Sequence, residues 1–346
     1  MRYNTFGRQT GLRVSALALG TSSFGSVAAD GADGPRRVFD AYVSAGGTTF
    51  DTSSVYQDGR SETVLGDLLG NDRDDFVVIT KYSRSSSDNP RPATTGNSRK
   101  VMIRSLESSL RRLQTDYVDV FMPHFPDGVT PMAEILETFD DLVRSGKILH
   151  GALSNFPAWR TSAAAARSEA RGLAPLAGIE TEYSLAERSA EREILPMAQA
   201  HGLGVLLYSP LAGGLLTGKY RRGESGRLGA GVPDTEGRER SAVLDTVLAV
   251  ADEIGADAVG VSLAWLHRRS TLAQTSLIPI VGPRSVTHLD AYLRSLEIDL
   301  SDEHYRRLDE VSAPRLGTPH EVVENALLGG FDGDRTQFDG PLIPVV

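Results

Sequence analysis

Phe76-Val77-Val78-Ile79-Thr80-Lys81 is an apolar run, without alternation, that stops at a lysine. A strand with one solvated face alternates, so an unbroken run reads as a strand covered on both faces, as in a parallel sheet clad by helices. Outward from it, similar short runs occupy residues 17–20, 48–51, 117–122, 148–153, 176–181, 203–207 and 277–281. Most are separated by one helical pattern: 35–45, 61–69, 98–113, 131–145, an alanine-rich stretch after Pro157, 194–201, and a stretch from Val286. Two further helices are expected over 242–254 and 259–268. Eight such repeats predict an α/β fold of the closed (β/α)8 barrel type rather than a doubly wound sheet. No Gly-x-Gly-x-x-Gly follows the first strand, which removes the dinucleotide fingerprint of the open sheet. Residues 3–15 predict an N-terminal hairpin turning at Thr10-Gly11. Residues 221–240, charged and glycine-rich, predict a long loop. The tail over 315–346 shows no clear period. With no repeat or low-complexity linker, 1–346 reads as a single domain of barrel length.

Composition narrows the function. The 346 residues contain no cysteine, which removes disulfides, thiolate nucleophiles and cysteine-bound metals; no metal is expected. A formal charge of −9 argues against nucleic acid as a partner. The N-terminus lacks an apolar signal core, and no apolar run approaches the ~20 residues of a membrane span, so a cytoplasmic protein is expected. Only four lysines occur, at 81, 100, 147 and 219, among many arginines. A lysine at a strand end in that background suggests a role for a compact charge whose pKa shifts on burial.

In a parallel barrel all strand C-termini open on one face, where active sites are built. The polar residues at those ends are Asp51, Tyr56, Lys81, His124, Ser154, Asn155, Glu180, Tyr208 and Arg284. Singly, each has an ordinary structural role: Asp51 caps a turn, Tyr56 is a loop aromatic, Lys81 is a surface strand end, His124 packs after a proline. Jointly, Asp51, Tyr56, Lys81 and His124 follow three successive strands. A phenol is a poor acid at neutral pH, and a nearby ammonium lowers its pKa. Lys81 can supply that ammonium and Asp51 can orient it, while a neutral His124 can donate to a carbonyl oxygen. No side chain provides a reductant, so a hydride-carrying cofactor is implied.

The motifs Gly47-Thr48-Thr49-Phe50-Asp51-Thr52-Ser53-Ser54-Val55-Tyr56, Ile79-Thr80-Lys81, Leu153-Ser154-Asn155-Phe156, Glu182-Tyr183-Ser184-Leu185, Tyr208-Ser209-Pro210-Leu211-Ala212-Gly213-Gly214 and Val281-Gly282-Pro283-Arg284, with His124, are in order along the chain. Over nearly its whole length the chain resembles the aldo-keto reductases. The resemblance implies a barrel that binds NADPH across its mouth and reduces an aldehyde or ketone. Tyr56 would be the general acid, Lys81 and Asp51 the pair that lowers its pKa, and His124 the group that orients the carbonyl. Ser154, Asn155 and Glu180 would meet the nicotinamide carboxamide, and Tyr208 would stack on the ring. Ser209, Leu211 and Gly213 would lie by the pyrophosphate, and Arg284 and His288 by the 2′-phosphate and adenine end. Arg284, a planar fork suited to phosphate, is the reason for NADPH over NADH. The chain departs from the family in having Glu180 where glutamine is usual, and His288 and Tyr292 where glutamine and asparagine are common.

Phe24, Tyr82, Phe125 and Trp159 are the candidate aromatic lining of a substrate pocket for an aryl aldehyde or a keto-sugar. Two other function classes share the fold. One is a cofactor-binding regulatory subunit of the channel β type, with little turnover. The other is a Schiff-base aldolase with Lys81 as nucleophile, disfavoured by the pairing of Lys81 with Asp51. The oligomeric state is left open by the sequence.

Overall fold

The computed structural model describes residues 1–26, 33–85, 87, 89–230 and 237–330. β1 (Tyr3–Thr5) and β2 (Arg13–Ser15) form the N-terminal hairpin, with Tyr3 opposite Ser15 and Thr5 opposite Arg13. The chain then alternates strictly: β3 (Ala18–Gly20), α1 (Gly34–Ser44), β4 (Thr49–Asp51), α2 (Arg60–Leu69), β5 (Val77–Tyr82), α3 (Arg99–Leu113), β6 (Val118–Pro123), α4 (Met132–Arg144), β7 (Ile148–Ser154), α5 (Ala158–Arg171), β8 (Leu176–Glu182), α6 (Ile194–His201) and β9 (Gly204–Tyr208). A two-stranded hairpin, β10 (Ser225–Gly226) and β11 (Gly229–Ala230), precedes α7 (Arg238–Ile254), α8 (Ala258–Leu272), β12 (Leu277–Val281), α9 (Val286–Arg294), α10 (Asp302–Val311) and α11 (His320–Gly330). The parallel strands close in the order β12-β3-β4-β5-β6-β7-β8-β9, so the fold is a (β/α)8 barrel.

Strand parity decides what each side chain can reach. On β5, Val77 and Ile79 join Ala18, Val120, Met122, Leu206 and Ile280 in the cluster that fills the barrel. Val78 and Tyr82 belong instead to the layer between strands and helices. Lys81 follows Val77 and Ile79 at a spacing of two and so points into the barrel mouth. Thr80, of the other parity, donates to Glu62 of α2 (2.6 Å), and Arg112 of α3 donates to the same carboxylate (2.7 Å). A neighbouring clamp joins β5 and β6: Asp119 Oδ2 accepts from Val78 N–H (2.9 Å) and from Arg73 (2.7 Å).

The hairpin closes the other end. Phe6, just past β1, is fully buried beneath the barrel. A Cβ on Gly178 or Gly204 would lie 2.5 or 2.4 Å from its ring, so only glycine permits that plug.

Three expectations change. The loop expected over 221–240 holds the β10–β11 hairpin, and α7 begins at Arg238; residues 231–236 lie outside those described. The tail from Arg315 carries α11, with 331–346 outside the described residues. The helix α10 has no counterpart in the sequence reading, because only Leu308 of its ten residues is buried and the apolar signal is faint. Its start is nonetheless marked, since Ser301 Oγ accepts from His304 N–H as a cap (3.2 Å).

Candidate active site

The strand ends β4, β5 and β6 bring the four residues together. Asp51, last in β4, is aligned with Ile79, and Lys81 with Met122. Lys81 is fully buried; its Nζ pairs with Asp51 and donates to Thr52 O (3.1 Å). The same Nζ lies 5.6 Å from the Tyr56 ring centroid. Tyr56 opens a turn of 3-10 helix in which Gln57 and Asp58 take left-handed backbone (φ 50° and 58°), a strained local geometry. Gln57 holds that turn to the loop after β3 by donating to Ser22 O (3.0 Å). His124, just past β6, meets the Tyr56 ring edge-on with centroids 5.8 Å apart, and its Nδ1 is 3.2 Å from Ser53 Oγ.

Electrostatics follow from burial. His124 is driven down to about 3 by burial, then by Lys81 and Arg84, so its ring is neutral at physiological pH. Burial alone disfavours the Lys81 ammonium, but Asp51 and Glu180 raise its pKa above the ordinary lysine value. Tyr56 departs from the sequence expectation. Its phenol is pushed up to about 12 by burial; Lys81 pulls it down, and the charges of Asp51 and Glu180 push it up again. The lowering by Lys81 is present but outweighed, because motifs carry no information about desolvation.

A cavity of about 730 Å³ opens over these residues, within the ~300–1,000 Å³ usual for small-molecule sites. Asp51, Tyr56, His124 and Glu180 line it on one side; Arg284, Lys219 and Arg222 enter from the loops after β12 and β9.

The sequence model of the Aldo/keto reductase family matches residues 16–313. The chain belongs to the aldo/keto reductase family. The uncharacterized oxidoreductase YrpG of Bacillus subtilis (strain 168) is 38% identical over 320 residues, 90% of this chain and 96% of YrpG. An aryl-alcohol dehydrogenase [NADP(+)] of Phanerodontia chrysosporium is 34% identical, covering 90% of this chain and 86% of that one. A Schizosaccharomyces pombe protein provisionally named a voltage-gated potassium channel subunit beta is 33% identical, with 88% and 91% covered. The protein is thus an oxidoreductase of a family that reduces carbonyls with a nicotinamide cofactor.

The groove suits such a cofactor by its donor set. Arg284, Lys219 and Arg222 offer cations to phosphates. Leu211 and Gly213 also line it, on a loop where Ser209, Ala212, Gly213 and Gly214 all take positive φ. Tyr220 fixes that loop, its hydroxyl donating to Gly213 O (2.9 Å) and accepting from Leu228 N–H (3.0 Å). Asn155, also at positive φ, donates to His124 O and Ser154 Oγ (3.0 Å each), and its Oδ1 accepts from the Tyr208 hydroxyl (2.9 Å). Ser154 itself is fully buried beneath Asn155. His288 and Tyr292, on α9, line the cavity beside Arg284. Ser285 caps α9 by accepting from His288 N–H (3.3 Å), which fixes where the helix begins.

Of the aromatic quartet, Phe125 alone lines the cavity, stacked on His124 at 4.8 Å. Tyr82 has the outward parity of β5 and stacks on Phe121 (5.0 Å). Phe24 is buried in the outer core, and Trp159 stands 73% exposed on α5. These three do not reach the cavity; an aromatic near a strand end is not a pocket aromatic unless its parity points inward. Glu180 is also differently engaged from the sequence reading: its Oε2 lies 3.2 Å from Lys81 Nζ. Sequence reasoning missed Ser53, Arg84, Lys219, Arg222 and Arg227 as site residues. The parity of Ser53 with Asp51 and the scarcity of lysine at Lys219 were the available signals; the three arginines reach the cavity from segments with no periodicity.

Proposed function

We propose that the protein reduces an aromatic aldehyde to the alcohol with NADPH, Tyr56 acting as general acid. The observation that supports this best is one phenol beside a fully buried ammonium and a neutral imidazole, at the rim of a cavity edged with cations. Arg284, Lys219 and Arg222 would hold the phosphates of NADPH, while Asn155 and Tyr208 would meet its nicotinamide end. The bound cofactor supplies the hydride that goes to the carbonyl carbon.

The chain's own residues handle the oxygen. Ser53 Oγ, 3.2 Å from Nδ1, would donate to it, which leaves the His124 proton on Nε2 to be donated to the carbonyl oxygen. That contact withdraws electron density as negative charge builds on the oxygen. Tyr56 then delivers its hydroxyl proton, completing the alcohol, and Lys81 stabilises the phenolate left behind. Asp51 keeps the ammonium charged and in place. Phe125, 40% exposed and stacked on His124, offers an apolar face for an aryl ring, in keeping with the aryl-alcohol activity for which the Phanerodontia relative is named.

Purified protein is mixed with NADPH or NADH and a panel of aromatic and aliphatic aldehydes, following absorbance of the reduced ring. We expect turnover with NADPH and a preference for aromatic substrates. Tyr56→Phe should lower kcat/KM by about 10²–10⁴-fold with little change in NADPH affinity. Wild-type turnover in that variant excludes the mechanism. Tight NADPH binding without turnover on any carbonyl would favour the regulatory-subunit reading that the Schizosaccharomyces relative brings to mind.

A further inference from the structure

The strand ends seat two carboxyl groups on one buried ammonium. Lys81 Nζ pairs with Asp51 from β4 and lies 3.2 Å from Glu180 Oε2 of β8, and all three side chains are shielded from solvent (0, 5 and 4% exposed). Among the described residues neither carboxyl has another ion-pair partner. The two are not equivalent: Asp51 accepts a hydrogen bond from Lys81, whereas Glu180 Oε2 accepts none despite its proximity. One ammonium cannot balance two desolvated carboxylates, so a proton stays with the one that lacks the ammonium's hydrogen bond.

We propose that Glu180 is a proton-bearing positioning residue whose ionisation switches off Tyr56 as an acid, an inference that rests on Tyr56 being the acid of the preceding section. With Glu180 protonated, Lys81 carries a single counter-charge and its field reaches the phenol. With Glu180 ionised, the ammonium is doubly countered and Tyr56 holds its proton more tightly. The groups facing Glu180 are few: Lys81 on β5, Asp51 at the end of β4, Tyr56 after β4, and Tyr208 on β9. Burial, then the Asp51 charge, push Glu180 up to about 8, and the Glu180 charge in turn raises Tyr56. Glutamine, isosteric and unable to ionise, would remove the switch and leave the packing intact.

The test has two arms. Protein carrying carbon-13 in its glutamate carboxyls is titrated by NMR from about pH 5 to about pH 10. One carboxyl should titrate near about 8 and be missing from Glu180→Gln. In the second arm, wild-type kcat/KM should fall about tenfold per pH unit above that midpoint, a limb that Glu180→Gln loses. A Glu180 signal already ionised at the acid end, or an unchanged alkaline limb in Glu180→Gln, overturns the proposal. The first arm needs no turnover, and wild-type protein in which no glutamate carboxyl titrates at about 8 overturns the proposal even if the variant folds poorly. Tyr56→Phe separates the two readings: a failed acid assignment leaves turnover in that variant, while the glutamate titration stays as measured.

Discussion

Lys81 shows how much one side chain can organise. Fully buried, it pairs with Asp51, lies 3.2 Å from Glu180 and faces the Tyr56 ring. Lys81→Met should therefore do two things: abolish reductase turnover, and destabilise the fold by roughly 3–5 kcal/mol, since it leaves the Asp51 carboxylate buried without its cation. Urea unfolding of the variant beside wild type measures the second effect. His124 gives a pH dependence with a definite sign. Its folded pKa, about 3, lies below the ordinary 6.5, so below 6.5 the unfolded chain binds the extra proton. Stability is lost as pH falls from 6.5 towards 3. His124→Asn, which has no such proton to gain, should narrow the gap in stability between neutral and acid pH by a few kcal/mol, on the order of the linked shift.

At the scale of elements, the hairpin β1–β2 and the strands β8 and β9 depend on one another through Phe6. Gly204→Ala places a methyl 2.4 Å from that ring, a clash the fully buried ring cannot yield to. Phe6→Ala should cost about 3–5 kcal/mol by opening a cavity. The double variant should cost less than the sum, because the smaller plug makes room for the new methyl. Additive losses in a double-mutant cycle would show that the hairpin and the strand starts are uncoupled. The period-two rule on β5 belongs to this scale as well. It explains in one stroke why Lys81 lies in the mouth and why Tyr82, one residue on, is core.

For the whole molecule, Glu180 and His124 act on opposite sides of neutrality. Glu180's folded pKa is raised from 4.5 to about 8, so the stability it carries is complete below 4.5 and lost as pH rises through 8. Glu180→Gln should accordingly be no more stable than wild type in acid, yet more stable by a few kcal/mol, on the order of the linked shift, in mild alkali. Thermal unfolding of both proteins across that range checks it. A variant equally sensitive to alkali would mean that another group dominates.

The barrel was legible because its signal is local and repeated: eight buried runs, each with its own stop, allow few other arrangements of parallel strands. The convergence of Asp51, Tyr56, Lys81 and His124 was legible for the same reason, since a parallel barrel sends every strand end to one rim. The helix α10 escaped because it is mostly charged and buries only Leu308, and α11 and the short β10–β11 hairpin escaped because their sequences mark no apolar face. What only the tertiary structure decided was electrostatic. The tie of Glu180 to Lys81, and the upward push on the Tyr56 phenol, depend on distances between strands remote in sequence and on the water that folding excludes. Side-chain order along a chain fixes neither.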